Sequence, residues 1–119
     1  MSRRTVLVCD NEPVMRALVR ATLEPEYDVL EARDGDEALT VVLRDEPDLL
    51  LLDLMMPGRT GLEVLAELRA AGKTLPVVMV TARAQAADRV NAADAGADRF
   101  LSKPFSPAVL AALVRELLS

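Results

Sequence analysis

Residues 49–53 read LLLLD, and the four leucines admit few folds. A strand with one face in water alternates apolar and polar residues. An unbroken apolar run of strand length fits a strand covered on both faces, the signature of a parallel sheet flanked by helices. Val6–Cys9 (VLVC) and Val77–Val80 (VVMV) have the same character. Stretches of helical spacing lie between these runs. Pro13 suits the first turn of a helix whose Val14, Ala17, Leu18 and Ala21 face inward. Residues 27–32 form a weaker strand, and Asp34-Gly35-Asp36 a turn. Residues 37–45 form a helix with Ala38, Val41 and Val42 inward, ended by Pro47. A helix over 61–71 carries Leu62, Leu65 and Ala66 on one face and closes at Gly72. A helix over 85–95 stops at Gly96. Phe100-Leu101 is a short strand. Pro107 opens the last helix, in which Leu110, Leu113, Val114 and Leu117 keep helical spacing. Strand and helix alternate five times. The expected fold is α/β: a (βα)5 doubly wound, five-stranded parallel sheet of flavodoxin-like type, one domain over residues 1–119.

Composition narrows what such a domain does. The chain has 119 residues and a net charge of −5, a balance that argues against direct binding of nucleic acid. A single cysteine forms no internal disulfide and suits a reducing, cytoplasmic setting. The apolar stretch near the N-terminus is broken at Asp10, too early for a signal peptide, and no stretch approaches a membrane span. The absence of histidine removes the usual acid–base group and the commonest metal ligand, so any metal is held by oxygens.

Right-handed crossovers bring all strand ends of this fold to one edge, where ligands bind. Reading off those ends gives Asp10-Asn11-Glu12 after the first strand, Asp53 after the third, Thr81-Ala82 after the fourth and Lys103-Pro104 after the fifth. Singly, each has an ordinary explanation: a turn or capping Asp, a strand Thr, a solvated Lys. One such residue at each of four strand ends is harder to dismiss. Two carboxylates about 4 Å apart repel by roughly 4 kcal/mol at an effective dielectric of 20, and they call for a cation between them. With oxygen ligands only, Mg²⁺ (or Mn²⁺) is the natural choice. A carboxylate beside that cation, an ammonium and a hydroxyl is equipped to accept a phosphoryl group as an aspartyl phosphate. The phosphoryl group must come from another molecule.

The segments VLVCDNEP, LLLLDLMMPG, Gly61-Leu62-Glu63, VMVTAR, GADRF and LSKPFSP, in this order, resemble the response-regulator receiver domain of two-component signalling, from about residue 4 to residue 118. The resemblance implies that Asp53 accepts a phosphoryl group from a histidine kinase or a phosphotransfer protein. It gives Met55 the role of offering a backbone carbonyl to Mg²⁺, and it has Thr81 contact the phosphoryl oxygens and shift on activation. Lys103 would pair with the phosphoryl charge, in a loop whose Lys103-Pro104 bond is usually cis. Phe100 falls at the switch aromatic, often a tyrosine, although a core aromatic explains it equally well.

One departure stands out. The family usually has two adjacent acids after the first strand, and here the pair is Asp10-Asn11. Aligning on Pro13 and Met15-Arg16 makes Asn11 the direct metal ligand, beside Asp10. Sliding by one puts Cys9 first and makes Asp10 the ligand. In the first register a neutral amide replaces a carboxylate, which lowers Mg²⁺ affinity unless Glu12 reaches the ion. The fourth helix has small residues, Ala86, Val90 and Ala93, at its expected inward positions. Either it is weakly anchored and mobile, or it lies close against the sheet. By resemblance, the face made by the fourth helix, fifth strand and fifth helix serves partners or a homodimer, with Arg89, Asp98, Arg99 and Arg115 as cross-dimer charges. Two other functions compete. One is a pseudo-receiver, a constitutive interaction module that is never phosphorylated. The other is a phosphohydrolase, which commonly needs a second acid two residues past the nucleophile, where this chain has Met55. The five glycines form no phosphate-loop pattern.

Overall fold

The computed structural model describes residues 3–82 and 85–119, so Arg83 of the VMVTAR segment lies outside the described residues. Strands and helices alternate as β1 (Thr5–Cys9), α1 (Pro13–Leu23), β2 (Asp28–Ala32), α2 (Gly35–Asp45), β3 (Leu49–Asp53), α3 (Gly61–Ala70), β4 (Val77–Thr81), α4 (Ala86–Ala95), β5 (Arg99–Ser102) and α5 (Pro107–Leu118). The five strands pair in parallel in the order β2-β1-β3-β4-β5. This is the doubly wound, flavodoxin-like arrangement. β3 sits at the centre, all five of its residues buried, and Asp53 is its last residue rather than the first beyond it.

Two apolar layers hold the sheet. On one side, Leu7, Cys9, Leu50, Leu52, Val77 and Met79 pack with Val41, Val42, Val64, Leu65 and Leu68 of α2 and α3. On the other, Val6, Val8, Leu49, Leu51, Val78 and Val80 pack with Val19 and Leu23 of α1 and Leu110, Val114 and Leu118 of α5. Successive strand residues therefore serve opposite layers, which is why the sequence shows no alternation.

Helix starts follow side-chain chemistry. Asp34 caps α2 by accepting from the Glu37 amide at 2.9 Å, so the expected turn at 34–36 is the start of the helix itself. Thr60 and Glu63 form a reciprocal capping box on α3, and Ser106 caps α5 ahead of Pro107.

Two helices turn a different face inward from the one their periodicity suggested. In α1, Val14 is 82% exposed, and Ala17 and Ala21 are also outside; Val19 and Leu23 are buried. Both sets have helical spacing. The pair with the bulkier side chains, Val19 and Leu23, fills the layer beside α5, and Arg16 and Arg20 tie the adjacent face to Glu31 of β2. In α4 the buried residues are Asp88 and Ala92; Ala86, Val90 and Ala93 are exposed. With so few large apolar groups on this helix, polar contacts fix its rotation. Arg89 lies 4.7 Å over the Phe100 ring and donates to Ser102 Oγ at 3.0 Å. At its far end, Arg69 of α3 donates to the Gly96 carbonyl and to Asp98.

Gly61 sets the position of α3. A Cβ there would lie 2.4 Å from the Asp53 carbonyl oxygen and 2.9 Å from the Leu54 Cα. Only a bare Cα lets α3 begin against the end of β3. Gly61→Ala should lower unfolding stability by about 2 kcal/mol, read as a shift in the urea midpoint at unchanged slope.

Candidate functional site

β1 delivers Asp10 to the sheet edge. Its amide donates to the Ala32 carbonyl at 3.1 Å, and its Oδ1 accepts from the Glu12 amide at 2.9 Å, turning the chain into α1. β3 delivers Asp53, whose Oδ1 accepts from the Met55 amide at 3.1 Å. Both carboxylates are almost fully buried, at 2% and 5% exposure. β4 delivers Thr81, also buried, and its carbonyl accepts from the Lys103 amide at 2.8 Å. The Lys103–Pro104 peptide that follows β5 is cis.

These elements aim three carboxylates at one ammonium. Lys103 Nζ stands 2.8 Å from Asp10 Oδ2, 3.1 Å from Glu12 Oε1 and 3.4 Å from Asp53 Oδ2. One oxygen from each of the three acids lies within 4.8 Å of the others. Three negative charges and one positive charge leave two negative charges at the mouth of an open cleft of about 450 Å³. Asn11, Glu12, Asp53, Met55, Thr81, Ala82 and Lys103 line it. That charge matches a divalent cation, and the donors are hard oxygens, so the residues present fit Mg²⁺.

The electrostatics are consistent with a strained cluster. Burial pushes the Asp53 carboxyl above its ordinary range and the Asp10 charge adds to this, against the Met55 amide and Lys103, which pull it down. Burial alone would lower Lys103, but the hydrogen bond to Asp10 and the charges of Asp53 and Asp10 outweigh it and raise the ammonium. Cys9 takes no part. Its thiol turns into the opposite layer, donates to the Asp34 carbonyl at 3.3 Å and meets Met56 Sδ at 3.5 Å. Burial and the neighbouring acids push it up to about 12, which leaves it an inert thiol. Cys9 therefore does not face the cleft in the place of an acid, whereas Asp10 does join the acidic cluster.

The residues read from the strand ends thus converge. Asp10, Glu12, Asp53 and Lys103 touch directly, and Asn11, Met55 and Thr81 line the same cleft. Phe100 stands apart, half-buried on β5 beneath Arg89. The charges expected to cross a dimer are already engaged within the chain: Asp98 with Arg69, Arg99 with Glu116, Arg115 with Glu26 and Arg89 with Ser102. Missed from sequence was the arginine system behind Asp10. No local pattern announces it, because its acceptors are Glu31 and a main-chain carbonyl.

Comparison with known proteins gives a consistent result. A family model described as the response regulator receiver domain matches residues 6–115. Response regulator MprA of Mycobacterium leprae is 46% identical over 115 residues, covering 97% of this chain and 50% of that protein. Transcriptional regulatory protein ResD of Bacillus subtilis is 45% identical over 114 residues, covering 95% and 47%. The chain spans about half the length of these relatives. Among solved structures, chemotaxis protein CheY4 of Vibrio cholerae has a TM-score of 0.93 at 30% identity, covering 98% of this chain and 100% of that one. A CheY-like response regulator receiver domain protein of Methanospirillum hungatei has a TM-score of 0.92 at 28% identity, covering 97% and 93%.

The raised Asp53 fixes a sign for its titration. A carboxyl whose folded pKa exceeds the unfolded value binds its proton more tightly in the native state, so it costs stability as pH rises through the folded pKa. Asp53→Asn should therefore melt higher than the wild type at pH 7 with a chelator present, by roughly 4 °C. The gain should vanish at acid pH, where the wild-type carboxyl is protonated too.

Proposed function

Since the chain belongs to the response regulator receiver domain family of two-component signalling, we propose that it is a phosphoryl-accepting switch whose acceptor is Asp53. The observation that carries this reading is the Lys103 ammonium shared among Asp10, Glu12 and Asp53 at the mouth of the cleft. A carboxylate oxygen of Asp53 attacks phosphorus, and an O–P bond forms. The bond from phosphorus to the donor breaks, and its electron pair leaves with the donor, which is the imidazole of a histidine kinase or phosphotransfer protein. Lys103 meets the negative charge of the arriving group without having to move in from solvent, since its side chain is only 10% exposed. Thr81, at the end of β4 in the same cleft, is the hydroxyl assigned to a phosphoryl oxygen. Met55 directs its amide at Asp53 Oδ1 and holds that oxygen in place, which leaves Oδ2, on the Lys103 side, as the attacking atom.

Asp10, Asp53 and the Met55 carbonyl are the residues assigned to the metal, with Asn11 and Glu12 beside them. A bound Mg²⁺ or Mn²⁺ supplies charge neutralisation at the transferring oxygens. Asn11 contributes a neutral oxygen where the family usually has a carboxylate, so the site is a weak one. Asn11→Asp should tighten Mg²⁺ binding by about 10-fold, measured by isothermal titration.

The chain acts as a signalling phosphoacceptor rather than an enzyme on other substrates, catalysing at most its own phosphorylation and dephosphorylation. Residues 1–119 are read as one receiver unit of a cytoplasmic regulator; no helix among the described residues is long and apolar enough to cross a membrane. The α4-β5-α5 face is assigned to a partner or a second copy. Val90 and Val109, 58% and 51% exposed on α4 and α5, offer it apolar contacts. Direct binding of nucleic acid by this domain is not part of the reading, given the net charge of −5.

Intact mass after incubation with Mg²⁺ and acetyl phosphate tests the assignment. A gain of one phosphoryl group in the wild type, absent from Asp53→Ala, is the expected result. A folded wild type that gains none, with fresh donor, replaces this reading with that of a pseudo-receiver acting as a constitutive binding module.

A further inference from the structure

Behind the acidic edge lies a polar system that the phosphoacceptor reading does not use. Arg16, on the second turn of α1, has a side chain only 12% exposed. Its Nη1 donates to the main-chain carbonyl of Asp10 at 2.8 Å, and its Nε donates to Glu31 Oε1 at 2.9 Å. The other Glu31 oxygen accepts from Arg20 Nε at 2.9 Å, and Arg20 also donates to the Val29 carbonyl at 3.0 Å. Burial pushes the Glu31 carboxyl up, but the hydrogen bonds from Arg20 and Arg16 outweigh that and hold it below its usual range. Glu31 is therefore a charged anchor at neutral pH. It fixes one side of the Arg16 guanidinium, and the planar fork directs the other side at Asp10.

The carbonyl so held belongs to the peptide joining Asp10 to Asn11. Its plane sets where Asn11 leaves the strand, and with the Glu12 amide on Asp10 Oδ1 it sets how the next two residues enter the cleft. We infer that Arg16 is a positioning residue for the metal site, acting through the Asp10 carbonyl to hold the Asp10-Asn11-Glu12 turn in its ion-binding shape. The inference rests on the metal reading given above. With a neutral amide at position 11, a fixed approach matters more, because the chain has one less charge to draw the ion in.

The test is an Mg²⁺ titration followed by the amide signals of Asn11, Glu12 and Met55 in the wild type, Arg16→Met and Arg20→Met. Arg16→Met keeps the aliphatic stem and removes both hydrogen bonds; Arg20→Met loosens the same network without touching Asp10. Expected is Mg²⁺ affinity lower by about 10-fold in Arg16→Met, as for other loss of outer-shell support, with Arg20→Met at the wild-type value. Arg16→Lys, which keeps one donor, should recover part of the loss. If Arg16→Met does not fold, Glu31→Gln takes its place, and weaker Mg²⁺ binding by that variant is then the expected result. Unchanged affinity in a folded Arg16→Met (or in its Glu31→Gln substitute), or an equal loss in Arg20→Met, overturns the inference while leaving the metal reading intact. A wild type whose amides do not respond to Mg²⁺ overturns both.

Discussion

Asp10 and Asp53 are buried side by side at the end of a sheet, and Lys103 makes that arrangement tolerable. Two desolvated carboxylates repel strongly in a low-dielectric surround, and removing the ammonium that compensates them is far more disruptive than breaking an exposed pair. Lys103 reaches them because its own amide is tied to the Thr81 carbonyl, so the ammonium is aimed by β4 as well as by β5. Around this centre the fold supplies rigid supports. β3 is buried from end to end, Gly61 lets α3 start against the Asp53 carbonyl, and the Met55 amide orients one of that residue's oxygens. The compensation is incomplete: with Glu12 as the third acid, the cluster keeps two negative charges beside the open cleft.

The fold was largely legible because its strongest signal is local. Strands buried on both faces need continuous apolar residues, so Val6–Cys9, Leu49–Leu52 and Val77–Val80 could be placed within a residue of where they lie. The edge residues followed from topology, since parallel strands with right-handed crossovers bring Asp10, Asp53, Thr81 and Lys103 together whatever the packing details. Rotation of the helices was less legible. In α1 the set of Val14, Ala17, Leu18 and Ala21 satisfies helical spacing as well as the set that includes Val19 and Leu23, and only the volume of the layer beside α5 selects between them. In α4 apolar periodicity carries little weight, because arginines at positions 69 and 89 hold the helix by polar contacts that sequence spacing does not encode.

Surface charges show the same limit from another side. Arg89, Asp98, Arg99 and Arg115 look alike in sequence, as solvated groups free to meet a second molecule. In the fold they differ: Asp98 receives both Arg69 and the Val77 amide, whereas Arg115 and Glu26 form an exposed pair worth little. A partner at the α4-β5-α5 face would meet charges already engaged, so exposed valines carry more of its footing there.

The layer on the α1 side has a history in time as well as a place in space. It is closed by α1, made before most of the sheet, and by α5, made after all five strands, with Leu110, Val114 and Leu118 covering strand residues synthesised earlier. During translation the other layer, with α2 and α3 between the strands they cover, can assemble as the chain emerges. The α1 side stays half-open until α5 leaves the ribosome. Lys103 emerges in the same late stretch. The acidic edge therefore gains its compensating cation at nearly the moment the core is sealed, and a nascent chain halted before that point carries both an uncovered sheet face and an unbalanced pair of carboxylates.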